Sequence, residues 1–468
     1  MNAAAIATGT YPSENGVIGN SMMLRGEGGD SSLVTLKHSD VLEADRALNG
    51  RFLLAESLGE VLARSGRRLA AVSSASTGSA LLLNHRAVGG TGALVNGAFD
   101  PGVVVAYPDP VNEAILSRFG PAPRKMGHGK PRADLIEWTQ RVLMEYVVPE
   151  LAPDVVIDWI TEPDHQQHAF GVGSPEARQA LTNVDEWIGY VLARLERLHL
   201  ADRTDLFIVS DHGATRFEGA VDVEAALVES SLIAKASPEL TVLVNGAGAQ
   251  IHCPSRDPAL VADIVSTIQR QEWAGPIFTA PAPPTGRTPD GMAAEGMSPF
   301  GYVDGTFSLD LAHLDCPERA PDAFVTLRWS SRPNEFGVPG SSPAATARVL
   351  HSGHGSISPW VMRTTMLGYG PNLRDRAVVT TPVSQVDLMP TILHLLGLDP
   401  GVTDGRVLLE ALSDGEGRSQ PSVARETVTA STDGGSYEAA LQVSRVGEHR
   451  YLDTGWRTAD TESSPNAA

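Results

Sequence analysis

At 468 residues, 42% of them hydrophobic and 20% charged, the chain has the composition of a folded globular protein with room for a large core or two to three domains. A formal charge of −20 excludes a general nucleic-acid binder, because nothing in that balance neutralises phosphates along a duplex. No run of about eighteen apolar residues is present to span a membrane, and the first residues lack the basic start of a secretory signal.

The opening segment Asn2 to Ala7 is small and uncharged and reads like the inside of a buried element rather than a loose terminus. Helical periodicity marks Phe52–Arg64, stopped by Gly66 and followed by a short strand, Leu69–Val72. A second helix fits Ala133–Val147 and leads through Pro149 and Pro153 into "DVVIDWI", a β-branched run that reads as a buried strand. Ser174-Pro175-Glu176 opens a further helix, with Ser as cap and Pro at the first position. Its apolar face is predicted to carry Val184, Ile188, Val191, Leu192 and Leu195. "DLFIVS" is then a strand that ends at Asp211-His212-Gly213. "AQIHC", the helix Ala259–Gln269 and "PIFTA" form another strand–helix–strand unit, and a Pro/Gly-rich loop, Ala280–Pro299, follows it. After Gly355 come the strand "TTMLGYG", the helix Ser384–Leu396, a polar linker over 413–422 and a closing hairpin whose turn is at Gly447. The last residues, 458–468, read as a disordered tail.

This alternation predicts a doubly wound, mostly parallel α/β sheet. The boundaries expected are a catalytic domain over 1–412 with a smaller α+β insert at about 215–345, the linker, and a hairpin over 423–457 packed on the domain. Cys253 and Cys316 stand far apart in no ligand spacing and read as buried free thiols.

Three short segments carry chemistry. "TEPDHQQH" places Asp164 and His168 four apart directly after a strand, "VSDHG" places Asp211 and His212 at another strand end, and "HSGHG" sets His354 between glycines. Ligands collect at the carboxyl ends of strands in open α/β sheets, and carboxylate with imidazole suits zinc and related divalent ions. Any one Asp-His pair at a strand end is more often a cap or loop residue, and His165 and His351 read as bystanders; three such segments in one chain point to a metal site.

The order E-P-D-x-x-x-H, S-D-H-G, G-H-G resembles the alkaline phosphatase superfamily, and within it the type I phosphodiesterases and nucleotide pyrophosphatases. "ATGTYPSENGVIGN" is similar to the stretch after that family's nucleophile, and "SQVDLMPTILHLLGLDP" with "DGRVLLEAL" to its C-terminal helix and loop. The resemblance implies two divalent ions, usually zinc. One would be held by Asp164, His168 and His354, the other by Asp211, His212, an Asp of the first strand and a Thr nucleophile that attacks phosphorus. Asn2 matches an Asn that contacts a phosphoryl oxygen. In that alignment the Thr stands three residues before Asn2, ahead of Met1, with the Asp and the first strand further upstream; Thr8, Thr10 and Ser13 lie at the wrong offset. The expected substrate is a small phosphodiester, nucleotide or phosphonate. A phosphonate hydrolase of the phosphonoacetate type and a metal- or phosphate-binding pseudoenzyme are the competing readings. Neither "FEGAVDVEAALVESS" nor "RWSSRPNEFG", with Arg328 and Trp329, identifies a leaving group. Oligomeric state and location are not legible in this sequence.

Overall fold

The computed structural model describes residues 1–26, 29–98, 104–123, 129–230, 232, 240–282, 298–345, 350–415 and 419–458. Most of the Pro/Gly-rich loop and the expected tail beyond residue 458 lie outside them. Two compact units are built from interleaved segments: Met1–Val17, Val34–Asp211 and Thr365–Ser422 form the first, and Ile18–Leu33, His212–Thr364 and Val423–Ala468 the second.

In the first unit a four-stranded sheet runs in the order Ala106–Tyr107, Ala93–Asn96, Leu69–Ser73, Val155–Trp159. Leu69–Ser73 is parallel to both of its neighbours, and the short Ala106–Tyr107 strand is an antiparallel edge. Successive side chains of a strand face opposite ways, and the Val155 strand uses both directions. Val155 and Ile157 pack against Leu58, Leu62, Met389 and Leu393, while Val156 packs into the cluster of Trp138, Val142, Tyr146 and Leu195. Helices therefore cover both faces, which is the doubly wound arrangement. Leu206–Val209 pairs antiparallel with Met366–Tyr369 in a separate two-stranded sheet.

Several helix boundaries differ from the periodicity. The helix expected over Phe52–Arg64 spans only Leu58–Arg64, because Ser57 and Glu60 form a reciprocal capping box that fixes its start. Ala133–Val142 is α-helical, and the continuation Leu143–Leu151 is a wider π-helix with Pro149 inside. Proline lacks the N–H that an α-helix would need there and crowds the preceding turn, so the wider coil accommodates it. Pro175–Arg197 starts as expected, with the Ser174 hydroxyl accepting from the Ala177 amide at 3.1 Å. Of its apolar face only Leu195 is buried; Val184, Ile188, Val191 and Leu192 are half-buried.

The second unit holds a five-stranded sheet ordered Phe307–Ser308, Ala274–Thr279, Ala323–Leu327, Gly248–His252, Thr241–Val244, antiparallel except for the first pair. Pro258–Gln269 buries Val261, Ile264, Val265 and Ile268. The closing hairpin, Glu438–Val446 with His449–Arg457, gains a third strand, Val423–Ser431, that periodicity did not single out. It is pinned to its own unit by Tyr437 Oη donating to the Gly275 carbonyl at 2.7 Å and by Trp329 Nε1 donating to the Gly455 carbonyl at 2.7 Å. Trp329 is therefore a core residue. Cys253 and Cys316 are buried free thiols, and burial pushes the Cys253 thiol up to about 12.

Candidate metal centre

The turn after Val155–Trp159 ends in the helix Asp164–Phe170, and Glu162 sets where that helix begins. Its carboxylate accepts from the Gln166 amide at 3.2 Å, from the Arg132 amide at 3.3 Å and from the Gln166 side chain at 3.4 Å. An acidic side chain taking a first-turn N–H satisfies a donor the helix leaves open. Burial raises the Glu162 carboxyl above its ordinary value, and those donors pull it back. With the start fixed, Asp164 and His168 fall one turn apart on one face, Oδ1 to Nε2 at 3.3 Å. His165 lies about 100° round the helix from Asp164. Glu162 stands in the motif E-P-D-x-x-x-H but was given no role from sequence, and Arg132 and Gln166 were not singled out; an acidic residue just ahead of a short helix was the signal available.

Asp211 lies two residues beyond the end of the strand Leu206–Val209, in the same unit. Its carbonyl accepts from Asn2 Nδ2 at 2.6 Å and from Gln385 Nε2 at 2.9 Å. Asn2, at the head of the helix Asn2–Thr8, thus stands beside this strand end, and its amide nitrogen carries a second hydrogen. Gln385, within the segment "SQVDLMPTILHLLGLDP", is a further neighbour to which the sequence assigned no role.

In the second unit the rings of His212 and His354 stack with centroids 3.7 Å apart and planes 23° from parallel. His212 Nδ1 is 3.0 Å from the Gly213 carbonyl, and a carbonyl only accepts. Nδ1 is therefore assigned as the donor, which makes Nε2 the ring nitrogen that a metal would use. His351 is exposed, and its main-chain carbonyl accepts from the Phe217 amide at 3.0 Å. The five expected ligands are thus an Asp-His pair on one helix and an Asp at a strand end in the first unit, and a stacked His pair in the second. Carboxylate oxygens and neutral imidazoles are the donor chemistry of zinc, so the residues present fit that ion.

The sequence profile of the type I phosphodiesterase / nucleotide pyrophosphatase family matches residues 1–281. The chain belongs to that family. Human ectonucleotide pyrophosphatase/phosphodiesterase family member 7 is 44% identical over 62 residues, 13% of this chain and 14% of that protein. The mouse counterpart is 35% identical over 81 residues, 17% of this chain and 18% of that one. The chain therefore aligns with less than a fifth of either curated relative. Among solved structures, murine ectonucleotide pyrophosphatase/phosphodiesterase 5 superposes with a TM-score of 0.55 at 14% identity, over 88% of this chain and 87% of that one. An inactive variant of it in complex with AMP superposes equally well, at TM-score 0.55. These likenesses establish the alkaline-phosphatase-like α/β fold.

Proposed function

We propose that the chain is the metal-binding body of a hydrolase that cleaves phosphodiester or pyrophosphate bonds in small nucleotide-like substrates. The observation that carries this reading is the donor geometry: Asp164 and His168 on one helical face, and the close stack of His212 on His354. One ion is assigned to Asp164, His168 and His354, and a second to Asp211 and His212 with the family's first-strand Asp and Thr, which align ahead of Asn2. Two divalent ions, zinc by donor type, would polarise the phosphoryl oxygens and lower the pKa of the attacking hydroxyl.

The chain's own residues orient and stabilise. Gln385 and Asn2 hold the Asp211 strand end through its main-chain carbonyl, and the Asp211 carboxylate is assigned as the ligand. The second amide hydrogen of Asn2 is assigned to a phosphoryl oxygen. Glu162 fixes the first turn of the helix that carries Asp164 and His168, so both ligands are preorganised. A net charge of −20 would repel an anionic substrate, and local cations remove that barrier.

The test is turnover of bis(p-nitrophenyl) phosphate with zinc supplied. Residues 1–468 serve as the reference chain. A chain extended upstream by the family's strand and threonine should turn over, and a change of that threonine to alanine should abolish it. Equal rates for the short and extended chains would defeat the threonine mechanism. Zinc content unchanged by His168→Ala would defeat the ligand assignment.

A further inference from the structure

We infer that the turn Asn245–Gly248 is the mould that sets the ligand loop of His354, and that Asn245 and Gly246 are positioning residues of the metal centre. The inference rests on the reading of His354 as a ligand, but its observations are separate and all lie within the second unit.

The turn joins the strands Thr241–Val244 and Gly248–His252. Asn245 and Gly248 exchange main-chain hydrogen bonds at 2.9 and 3.3 Å. Gly246 has φ +67°, the left-handed backbone that a two-residue hairpin loop with glycine first requires. The next amide, Ala247 N–H, donates to the carbonyl of His354 at 2.9 Å, and the Gly246 carbonyl accepts from Ala345 at 2.9 Å. The two loops are pressed backbone to backbone. A Cβ on Gly246 would lie 2.0 Å from the His354 carbonyl oxygen, and one on Gly355 would lie 2.1 Å from the Asn245 carbonyl oxygen. No side-chain rotation relieves overlap with a main-chain oxygen, so each loop fixes the other's path. Gly355 is therefore explained by this partner loop as well as by access to an ion, whereas a Cβ on Gly353 would lie 2.3 Å from the Phe217 ring.

Asn245 extends the mould to a third segment. Its Oδ1 accepts from the amides of Asn20 at 3.0 Å and Ser21 at 3.1 Å, and its Nδ2 donates to the Ser21 carbonyl at 3.3 Å. One side chain thus ties the segment entering at Gly19 to the turn that grips His354. Residues that orient a metal ligand from behind typically change affinity about 10–100-fold when altered.

The experiment titrates zinc, and cobalt for its coordination-sensitive absorption, into the parent chain and into Gly246→Ala, Asn245→Ala, Asn245→Asp and His354→Ala. Gly337→Ala is the control: it places a side chain at φ +76° in the same unit with nothing within 4 Å of the new Cβ. Gly246→Ala and Asn245→Ala are expected to weaken binding about 10–100-fold and to alter the cobalt spectrum at saturation. Asn245→Asp keeps the acceptor for Asn20 and Ser21 and should fall between parent and Asn245→Ala. Gly337→Ala should bind like the parent. Should Gly246→Ala fail to fold, the two Asn245 variants decide. If His354→Ala loses zinc while Gly246→Ala and Asn245→Ala keep parental affinity and spectrum, this inference is overturned and the ligand assignment stands. If His354→Ala binds as tightly as the parent, the ligand assignment itself falls.

Discussion

The strands Val155–Trp159 and Gly248–His252 are both five residues long, yet every residue of the second is buried and none of the first is. Apolarity does not explain the difference, since Val155, Val156 and Ile157 are larger than Gly248 and Ala249. Neighbours do. Gly248–His252 is paired on both edges, by Ala323–Leu327 and Thr241–Val244. Among the described residues Val155–Trp159 pairs only with Leu69–Ser73, and Leu206–Val209, half-buried throughout, only with Met366–Tyr369. A β-branched run states that a strand is built for cover on both faces. How much cover it receives is decided by elements elsewhere in the chain.

The sharpest way to break this comparison is a matched pair of deletions. Ile251→Ala, at a fully buried site, should cost about 2–5 kcal/mol, whereas Ile157→Ala, half-buried, should cost about half as much. Urea unfolding of both variants checks this, and equal losses would show that the Val155 strand is as well supported as its counterpart. The next effect is acid sensitivity in the five-stranded sheet. Burial, with help from Arg25, depresses His252 from 6.5 to about 4. The unfolded chain then binds the proton that the folded chain refuses, so stability is full above about pH 6.5 and falls as pH drops toward 4. The loss should reach about 3 kcal/mol by pH 4, and His252→Gln should flatten that slope in pH-dependent unfolding. The smallest effect belongs to the open side. Leu367 and Tyr369 are 57% and 63% exposed, so Leu367→Ser or Tyr369→Ser should change stability by no more than about 0.5 kcal/mol. A larger loss in thermal melts would mean that something covers Met366–Tyr369 in solution.

Local signals carried much of the architecture. The strand ends before Asp164 and Asp211, the Ser174-Pro175 helix start and the Gly447 turn could be read because each depends on a few adjacent residues. The late start at Leu58 was also local, written in Ser57 and Glu60, and was masked by the apolar residues ahead of it. The strand Val423–Ser431 was missed because its burial pattern is largely exposed and its partner is supplied by the hairpin after it. At the site, residues that could bind metal announced themselves by type. The roles of Glu162, Gln385 and Asn245 were not legible by type, since they act on main-chain groups, and for Gln385 and Asn245 distant segments bring those groups within reach. Asn245 and Ser21 are 224 positions apart, a separation that no window of sequence spans.

The second unit draws on three separate stretches, the last of them Val423–Ala468. During synthesis, the sheet around Ile251 leaves the ribosome well before the strand that contains Gly455, to whose carbonyl Trp329 donates. Until the stretch from Tyr437 to Gly455 arrives, the Gly275 carbonyl and the Trp329 indole N–H lack their final partners. Completion of this half is thus deferred until Val423–Arg457 has been made, and the loop that carries His354 waits with it.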